Sequence, residues 1–187
     1  MKRYSIVEYT HDFFRNWLHE GGLYIDATIG NGYDTEFLCK GAGTSGKVIG
    51  FDIQELAIEH TKERLMKADV WERCQLVLDG HQNLNEYVEE NTVDGIMFNF
   101  GYLPGGDHGC MTRGETSIEA IAKGLEALKP GGIMSMCIYS GQDTGFEEKD
   151  AILKYLKEVD QKKYVIIKSE FYGRPNNPPI PVFIIKQ

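Results

Sequence analysis

The 187-residue sequence lacks the features that mark several classes of protein. Its cysteines, Cys39, Cys74, Cys110 and Cys137, stand far apart, and no C-x-x-C pair or Cys/His cluster suggests a metal site. No apolar run approaches the ~18 residues that a membrane helix needs. The first residues lead into a polar, acidic stretch and not into the apolar core of a secretion signal. We therefore expect a cytoplasmic protein with reduced thiols, no metal and no membrane partner.

Positive charge is also scarce. Lys and Arg number 20 against 28 Asp and Glu, and the formal net charge of -8 argues against a general polyanion binder. The charge is uneven, because residues 161–187 carry five basic side chains against one acidic, while the other residues carry a net charge of -12. A local contact with nucleic acid therefore stays open. Our hypothesis is that Arg113, Arg174 and some lysines of the 161–187 segment contact phosphates.

The sequence does contain a regular alternation of strands and helices. Strands are predicted over 23–26, 47–52, 75–79, 93–99 and 133–139, each followed by a segment with helical spacing, the third by a short helix over 83–90. Capping-box sequences open helices at Ser5-Ile6-Val7-Glu8 and Thr116-Ser117-Ile118-Glu119. Only a short, turn-rich connection joins the last two strands, 163–168 and 182–186, so they should pair antiparallel. The expected α/β fold is one Rossmann-like domain over 1–187, a seven-stranded, mostly parallel sheet with an antiparallel last strand and helices on both faces.

Three successive predicted strands end in an acid, at Asp26, Asp52 and Asp79. Ligands of open α/β sheets lie beyond the carboxyl ends of the strands. The turn Gly30-Asn31-Gly32 lacks the third glycine of a dinucleotide-binding G-x-G-x-x-G, and Asp26 would repel a pyrophosphate, which disfavours a nicotinamide dehydrogenase. An acid at this position suits a ligand that carries an ammonium group and a sulfonium. Each of these acids can also be a helix cap or a solvated turn residue.

The first strand and its turn resemble a known motif. Asp26-Ala27-Thr28-Ile29-Gly30-Asn31-Gly32 is similar to the D-x-G-x-G-x-G motif of class I S-adenosylmethionine-dependent methyltransferases, with Thr28 in place of the first glycine. The resemblance implies S-adenosyl-L-methionine as cofactor and S-adenosyl-L-homocysteine as product, with Asp52 at the ribose hydroxyls and Asp79 near the adenine. The cofactor-binding residues that it implies are Asp26, Thr28, Gly30, Asn31, Gly32, Asp52, Ile53, Gln54, Asp79, Gly80, His81, Asn99 and Gly101.

The segment after the fourth strand, Asn99-Phe100-Gly101-Tyr102, lies where the methyl group is expected in this fold. Amine methyltransferases often carry an N-P-P-Y-like motif there, in which an amide and an aromatic ring orient the amino group. Asn99 and Tyr102 have the matching chemistry and spacing, although Phe-Gly replaces Pro-Pro. The alternative is a tight loop in which Asn99 only caps the sheet edge.

The class I resemblance covers nearly the whole chain, and a second, closer resemblance starts in the segment after the fourth strand. The stretches FNFGYLPGGDH at 98–108, YSGQ at 139–142 and NNPP at 176–179 resemble a small bacterial family first labelled rRNA methylases and now linked to tRNA wobble-uridine methylation. Gln142 departs from the family, which usually has His at that position. The resemblance implies N-methylation of the 5-aminomethyl group of 2-thiouridine at the wobble position of the tRNA anticodon stem-loop. Ribosomal RNA is the alternative partner, and a small-molecule amine methyltransferase or a non-catalytic nucleotide-binding protein remains open.

The implied reaction requires a neutral amine, since an alkylamine with a pKa of roughly 10 in water is protonated at neutral pH. A base or hydrogen-bond acceptor must therefore take a proton, directly or through water. The catalytic candidates are Asn99, Tyr102, Asp107, His108 and Tyr139. The candidates for binding substrate RNA are Leu103, Arg113, Thr116, Arg174 and Asn177. A homodimer would give a small domain more surface to hold RNA, although no residue pattern demonstrates one.

Overall fold

The computed structural model describes residues 4–100, 114–139, 142–175 and 177–187, and only the backbone of 142–145. The strands are β1 Leu23–Asp26, β2 Lys47–Asp52, β3 Cys74–Leu78, β4 Val93–Phe100, β5 Leu128–Ile138, β6 Tyr164–Lys168 and β7 Ile180–Lys186. They form one sheet in the order β3-β2-β1-β4-β5-β7-β6. Strands β1 to β5 pair parallel, and β7 is antiparallel to both β5 and β6. The predicted fold is confirmed.

Helices cover both faces of this sheet. They are α1 Ile6–Phe14, α2 Tyr33–Ala42, α3 Glu55–Lys67, α4 Gly114–Ala127 and α5 Gln142–Glu158. Helices α1 to α3 pack on one face through a core that includes Phe14, Leu38 and Leu65. Helices α4 and α5 pack on the other through Ile121, Leu125, Ile152 and Leu156. Because β1 to β5 run parallel, their carboxyl ends lie at one common edge of the sheet.

The predicted helix starts are partly right. The capping box of α1 is confirmed, because the Glu8 amide donates to Ser5 Oγ at 3.0 Å and the Ser5 amide donates to Glu8 Oε2 at 2.8 Å. The second predicted cap is wrong, since α4 already includes Gly114 and Thr116 therefore lies inside the helix. The next residue, Ser117, ties the start of the helix to α5, because its Oγ donates to the buried Glu148 at 2.6 Å.

The helix predicted over 83–90 is a 3-10 helix over His81–Glu86. The side chain of Asp79 is the physical reason. Its Oδ1 accepts hydrogen bonds from the Gly80 amide and from Asn83 Nδ2, and its Oδ2 accepts one from Tyr87 Oη. These local bonds compete with α-helical ones and hold the segment in a tighter turn.

The connection between β6 and β7 lies at the same edge as the strand-end acids. Ile138 at the end of β5 pairs with Ile180 at the start of β7, which brings residues 169–175 and 177–179 to the carboxyl edge. Helix α1 is tied to this connection, because Tyr9 Oη and Ser169 Oγ are 2.8 Å apart and Arg174 Nη2 donates to the Tyr4 carbonyl at 2.7 Å. The amino-terminal helix is therefore part of the edge where a ligand would bind.

Two further features concern thiols and helix length. Cys39, Cys74 and Cys137 are free thiols and at least partly buried, and Cys110 lies outside the described residues. Among the described segments, no helix combines the length and apolar character needed to cross a membrane.

Candidate active site

The turn between β1 and α2 has a backbone that favours glycine. Gly30 and Gly32 have φ of 54° and 75°, in the left-handed region. A Cβ atom added at Gly32 would lie 2.6 Å from Oγ1 of Thr61, which is fully buried in α3. The turn therefore needs glycine at 32 both for its dihedral angles and for its close approach to α3. This brings the backbone of the turn to the carboxyl edge of the sheet without side chains in the way.

We expect Gly32→Ala to destabilise the protein by about 1–3 kcal/mol and to weaken S-adenosylhomocysteine binding, because the turn must move away from Thr61. Gly131→Ala is the matched control, since Gly131 also has a positive φ, 82°, but an added Cβ would meet nothing within 4 Å. Thermal unfolding and calorimetry check both effects. Equal behaviour of the two variants would contradict the steric argument.

Asp52 closes β2 and supports the glycine turn. Its Oδ2 accepts a hydrogen bond from the Gly30 amide and its Oδ1 accepts one from the Gln54 amide, each at 3.0 Å. Burial raises the pKa of Asp52 above its ordinary value. Each carboxylate oxygen can accept a second hydrogen bond, so Asp52 still offers acceptors to ribose hydroxyls.

Two apolar side chains flank this carboxylate and are unusually exposed. Ile53 is 57% exposed, and Leu78, which pairs with Asp52 across the sheet, is 52% exposed. Together they form an apolar rim between the ends of β2 and β3. A flat aromatic base would bury this rim, which fits the adenine of the expected cofactor.

Asp26 lies at the centre of the site and beneath the turn. Its side chain is fully buried, Oδ2 accepts from Thr35 Oγ1 at 2.6 Å, and Oδ1 accepts from the Thr28 amide at 3.2 Å. Burial, and next the negative charge of Asp34, raises the pKa of Asp26 to about 7. A cationic group bound above the turn would stabilise the ionised form of Asp26, so the site favours a positively charged ligand.

His81 offers an unused acceptor next to the turn. It is 9% exposed, its ring makes a hydrogen bond to the backbone of Ala27, and burial lowers its pKa. Among the described residues, its Nε2 is the only buried side-chain nitrogen or oxygen without a hydrogen-bond partner. A neutral imidazole nitrogen with no partner is costly to bury, which fits a ligand that donates a hydrogen bond there. Asp79 is half-buried, and its pKa is lowered chiefly by the hydrogen bond from Asn83.

Asn99 lies at the carboxyl end of β4 and is held at both its backbone and its side chain. Its amide nitrogen donates to Thr28 Oγ1 at 2.7 Å, and its Nδ2 donates to Asp34 Oδ2 at 2.6 Å. The other oxygen of Asp34, Oδ1, is 2.6 Å from Nε2 of His11 in α1. None of the described residues donates to Asn99 Oδ1, which leaves an acceptor available for a ligand.

His11 and Asp34 were not among the residues singled out from the sequence. Asp34 is nine-tenths buried in the first turn of α2, and the His11 ring stacks on Phe37 with centroids 3.9 Å apart. Two sequence features could have drawn attention to them: a histidine beside the apolar stripe of α1, and an acid two residues after the glycine turn. Neither signal indicates a contact between residues that are 23 and 65 positions apart.

Tyr139 follows β5 and faces the same group of side chains. It is 40% exposed, and burial of the rest, together with nearby negative charge that includes Asp34, raises its pKa to about 12. Its hydroxyl is therefore protonated at neutral pH. This argues against Tyr139 as the group that takes up the proton, and leaves it a hydrogen-bonding role.

Several predicted residues fall outside the part of the chain that the structure describes. They are Gly101, Tyr102, Leu103, Asp107, His108 and Arg113, together with the side chain of Gln142. Thr116 is half-buried within α4, and Asn177 is exposed in the connection between β6 and β7 with φ of 45°. Arg174 lies in the same connection, with its guanidinium carbon 4.4 Å from the centroid of the Phe171 ring.

The basic side chains of residues 161–187 do not form one continuous surface. Lys186 Nζ donates to Asn91 Oδ1 and to the carbonyls of Leu125 and Glu126, and Lys186 pairs with Tyr164 at the amino edge of the sheet. Lys186 therefore lies on the side opposite the site, as does Lys163, which directly precedes Tyr164. Both lysines therefore lie far from RNA bound at the site, and the hypothesis that some lysines of this segment contact phosphates stays a prediction. Arg174 and Lys168, at the other end of β6 and β7, stay candidates.

Comparison with known proteins establishes the family. A family model described as "Putative rRNA methylase" matches residues 48–185, more than half of the chain. The chain belongs to this family. Over 194 aligned residues it is 32% identical to the chloroplastic tRNA (mnm(5)s(2)U34)-methyltransferase of Arabidopsis thaliana, with 99% of this chain and 70% of that protein covered. The resemblance inferred from the motifs is confirmed.

Solved structures of similar proteins agree with this assignment. A "putative rRNA-methylase" of Clostridium thermocellum is 44% identical, with a TM-score of 0.95 and both chains covered in full. A "putative methyltransferase" of Streptococcus mutans, in complex with SAH, is 40% identical, with a TM-score of 0.88 over 100% of this chain and 99% of that one. The chain is thus an S-adenosylmethionine-dependent methyltransferase of this family, as the sequence predicted.

Proposed function

We propose that this methyltransferase N-methylates the 5-aminomethyl group of 2-thiouridine, or of uridine, at the wobble position of tRNA. The observation that carries the proposal is Asn99, whose side-chain nitrogen is held by Asp34 and whose oxygen Oδ1, at the end of β4, accepts no hydrogen bond from the residues that the structure describes. A hydrogen-bond acceptor at this edge suits an amine nucleophile, which has N–H groups to donate. The name of the plant relative supports the same chemistry.

The residues present fit the cofactor. Asp26 favours a cationic ligand, Asp52 offers acceptors to ribose hydroxyls, and Ile53 and Leu78 would flank the adenine. His81 Nε2, buried without a partner, would accept a hydrogen bond from the ligand. When bound, S-adenosylmethionine supplies an electrophilic methyl group on a sulfonium, and methyl transfer to an amine leaves S-adenosylhomocysteine and releases one proton.

The protein side chains then have three tasks. Asn99 Oδ1 accepts a hydrogen bond from the amine and aligns its lone pair. Tyr139, as a phenol, offers a further hydrogen bond. The amine must lose a proton before it can attack, and Asp107 and His108 are our proposed acceptors, directly or through water.

An RNA substrate is supported by the connection between β6 and β7. Tyr172 is 94% exposed there, so its ring is open to stack on a base. Arg174 donates one hydrogen bond to the Tyr4 carbonyl. A guanidinium has five N–H groups, so four others can donate to phosphates. A wobble base lies in a single-stranded loop, where aromatic stacking and phosphate contacts give binding.

We expect Tyr172→Ala to raise the KM for tRNA about tenfold, because one base–aromatic stack is lost, while kcat and S-adenosylhomocysteine binding stay the same. Tyr172→Phe keeps the ring and is the matched control, with a KM close to that of the parent protein. Steady-state methylation kinetics with varied tRNA check this. An unchanged KM in Tyr172→Ala would remove Tyr172 from the RNA surface.

The test of the proposed function is methylation of tRNA that carries 5-aminomethyl-2-thiouridine, followed by nucleoside mass spectrometry. We expect a methylaminomethyl nucleoside at position 34 of the tRNA and no product when that position is unmodified uridine. Ribosomal RNA and simple alkylamines are assayed in parallel. A product found only in ribosomal RNA, or only with free amines, would overturn the proposal.

A further inference from the structure

We propose that His11 and Asp34 are positioning residues that fix the orientation of the Asn99 amide, so that its oxygen and not its nitrogen faces the methyl-accepting amine. The inference rests on the proposed function and deepens it. It assigns a role to two residues of α1 and α2 that do not belong to the Asp26–Gly32 motif or to the segment after β4. Three side chains from three separate elements form one chain of hydrogen bonds.

The orientation follows from the chemistry of a carboxylate. An ionised carboxylate only accepts hydrogen bonds, so the group that faces Asp34 Oδ2 at 2.6 Å must be the amide nitrogen of Asn99. Because the two ends of a planar amide point apart, Oδ1 is then directed away from Asp34. Without Asp34, the Asn99 amide could turn over and present a donor to the amine, which also has N–H groups.

His11 holds Asp34 in the position that this task requires. Its Nε2 is 2.6 Å from Asp34 Oδ1, so the ring donates to the carboxylate and occupies the oxygen that does not face Asn99. The ring is fixed in turn by its stack on Phe37, with an angle of 4° between the planes. The His11 side chain is 17% exposed and that of Asp34 is 11% exposed, so water competes little for these bonds.

The backbone of Asn99 is secured independently of this chain. Its amide nitrogen donates to Thr28 Oγ1 at 2.7 Å, and residues 95 to 100 pair with β5 in continuous register. Loss of Asp34 should therefore turn the side chain of Asn99 without moving the strand. This separation between side-chain orientation and strand position makes the role testable.

The decisive variants exchange the two side chains. In Asp34→Asn, the side chain at position 34 can donate as well as accept, so it no longer forces the Asn99 amide to turn its nitrogen toward it. We expect kcat to fall about 10- to 100-fold, because the Asn99 oxygen is then not always directed at the amine. The double variant Asp34→Asn/Asn99→Asp restores the pattern, because the amide now at position 34 can donate to the carboxylate now at position 99, whose second oxygen is an acceptor for the amine. We expect the double variant to recover at least part of the lost kcat, whereas Asn99→Asp alone places two carboxylates against each other and stays impaired. A double variant no more active than either single variant would overturn the orientation argument.

His11 is tested by a variant that keeps its packing. His11→Phe retains a ring that can stack on Phe37 but has no nitrogen to donate to Asp34. We expect wild-type affinity for S-adenosylhomocysteine, a kcat reduced about tenfold, and a thermal midpoint lowered no more than that of Asn99→Ala, because each variant leaves one oxygen of Asp34 without its donor. A fully active His11→Phe variant would show that only the packing of His11 matters and would overturn its positioning role.

A binding measurement without turnover separates this inference from the proposed function. Anticodon stem-loops with 5-aminomethyluridine or plain uridine at the wobble position are titrated into the S-adenosylhomocysteine complex. We expect the wild-type protein and the double variant to prefer the aminomethyl RNA, and Asp34→Asn to lose that preference. Equal binding of both RNAs by the wild type would contradict the proposed function. A preference that Asp34→Asn retains would contradict the positioning role alone.

Discussion

Asn99→Ala is expected to lower kcat about 100-fold or more while the affinity for S-adenosylhomocysteine stays within about twofold. The variant removes the acceptor that aligns the amine, but it leaves Asp26, Asp52 and the glycine turn intact. The Asn99 backbone bond to Thr28 does not involve the lost side chain. Single-turnover methylation of tRNA and calorimetry with S-adenosylhomocysteine measure the two quantities separately.

The variant also leaves Asp34 Oδ2 without its donor, so its stability must be measured beside its activity. An unpaired buried acceptor costs about 1–3 kcal/mol, which thermal unfolding would detect. Asn16→Ala is a suitable control, because Asn16 belongs to the Arg15–Trp17 3-10 helix, away from the site, and its side-chain hydrogen bond is exposed. If Asn99→Ala turned over at the parental rate, Asn99 would be no more than a cap on the sheet edge.

The second large effect concerns Asp26. We expect Asp26→Asn to weaken S-adenosylhomocysteine binding about 30-fold or more at pH 8, because a nearly isosteric amide removes the buried negative charge that a cationic ligand group needs. Asp12→Asn removes an exposed carboxylate of α1 and serves as the control. An Asp26→Asn protein with parental affinity would show that Asp26 only supports the turn.

The pH dependence of S-adenosylhomocysteine binding tests whether the ligand requires the ionised form of Asp26. The pKa of Asp26 in the free protein is raised to about 7, so about a tenth of the molecules carry the ionised form at pH 6 and about nine-tenths at pH 8. A ligand that prefers the ionised form should therefore bind about tenfold more tightly at pH 8 than at pH 6, with proton release at the lower pH. Asp26→Asn should bind with nearly the same affinity at both values.

The stability of the unliganded protein should change in the opposite sense. A carboxyl with a raised pKa contributes stability below its unfolded value of 3.8, and that contribution is lost as the pH rises through about 7. Relative to the wild type, Asp26→Asn should therefore gain stability from pH 5 to pH 8. Urea unfolding of both proteins across this range measures the difference, and parallel curves would contradict the pKa assigned to Asp26.

The fold could be predicted from the sequence because its signals are local. The acids at 26 and 52 end buried apolar strands, and the Ser5–Glu8 capping box specifies a helix start within four residues. Local sequence signals gave a wrong prediction where a tertiary contact determines the local structure, as at the start of α4. Thr116 has the sequence of a cap, but the helix begins earlier and Ser117 makes the bond to Glu148.

The placement of Asp26, Asp52 and Gly32 at one edge of the sheet was also predictable, whereas of the group around Asn99 only Asn99 itself was predicted. Asp26, Asp52 and Gly32 lie within or beside one strand-turn-helix unit, so their spacing carries information. His11 and Asp34 meet only because α1 packs across the start of α2, and a histidine in an amphipathic helix is as compatible with packing as with function. The same limit applies to the lysines near β6 and β7, which strand direction places at opposite edges.

The ties of α1 have a consequence for the order in which the enzyme matures on the ribosome. The helix that supplies His11 is anchored by Tyr9 to Ser169 and by the Tyr4 carbonyl to Arg174, contacts that span 160 and 170 residues. Because Ser169 and Arg174 are synthesised long after α1, the helix is made early but gains both ties only when most of the chain exists. A nascent chain should therefore fix the position of His11 late, after strands β1 to β4 have been made.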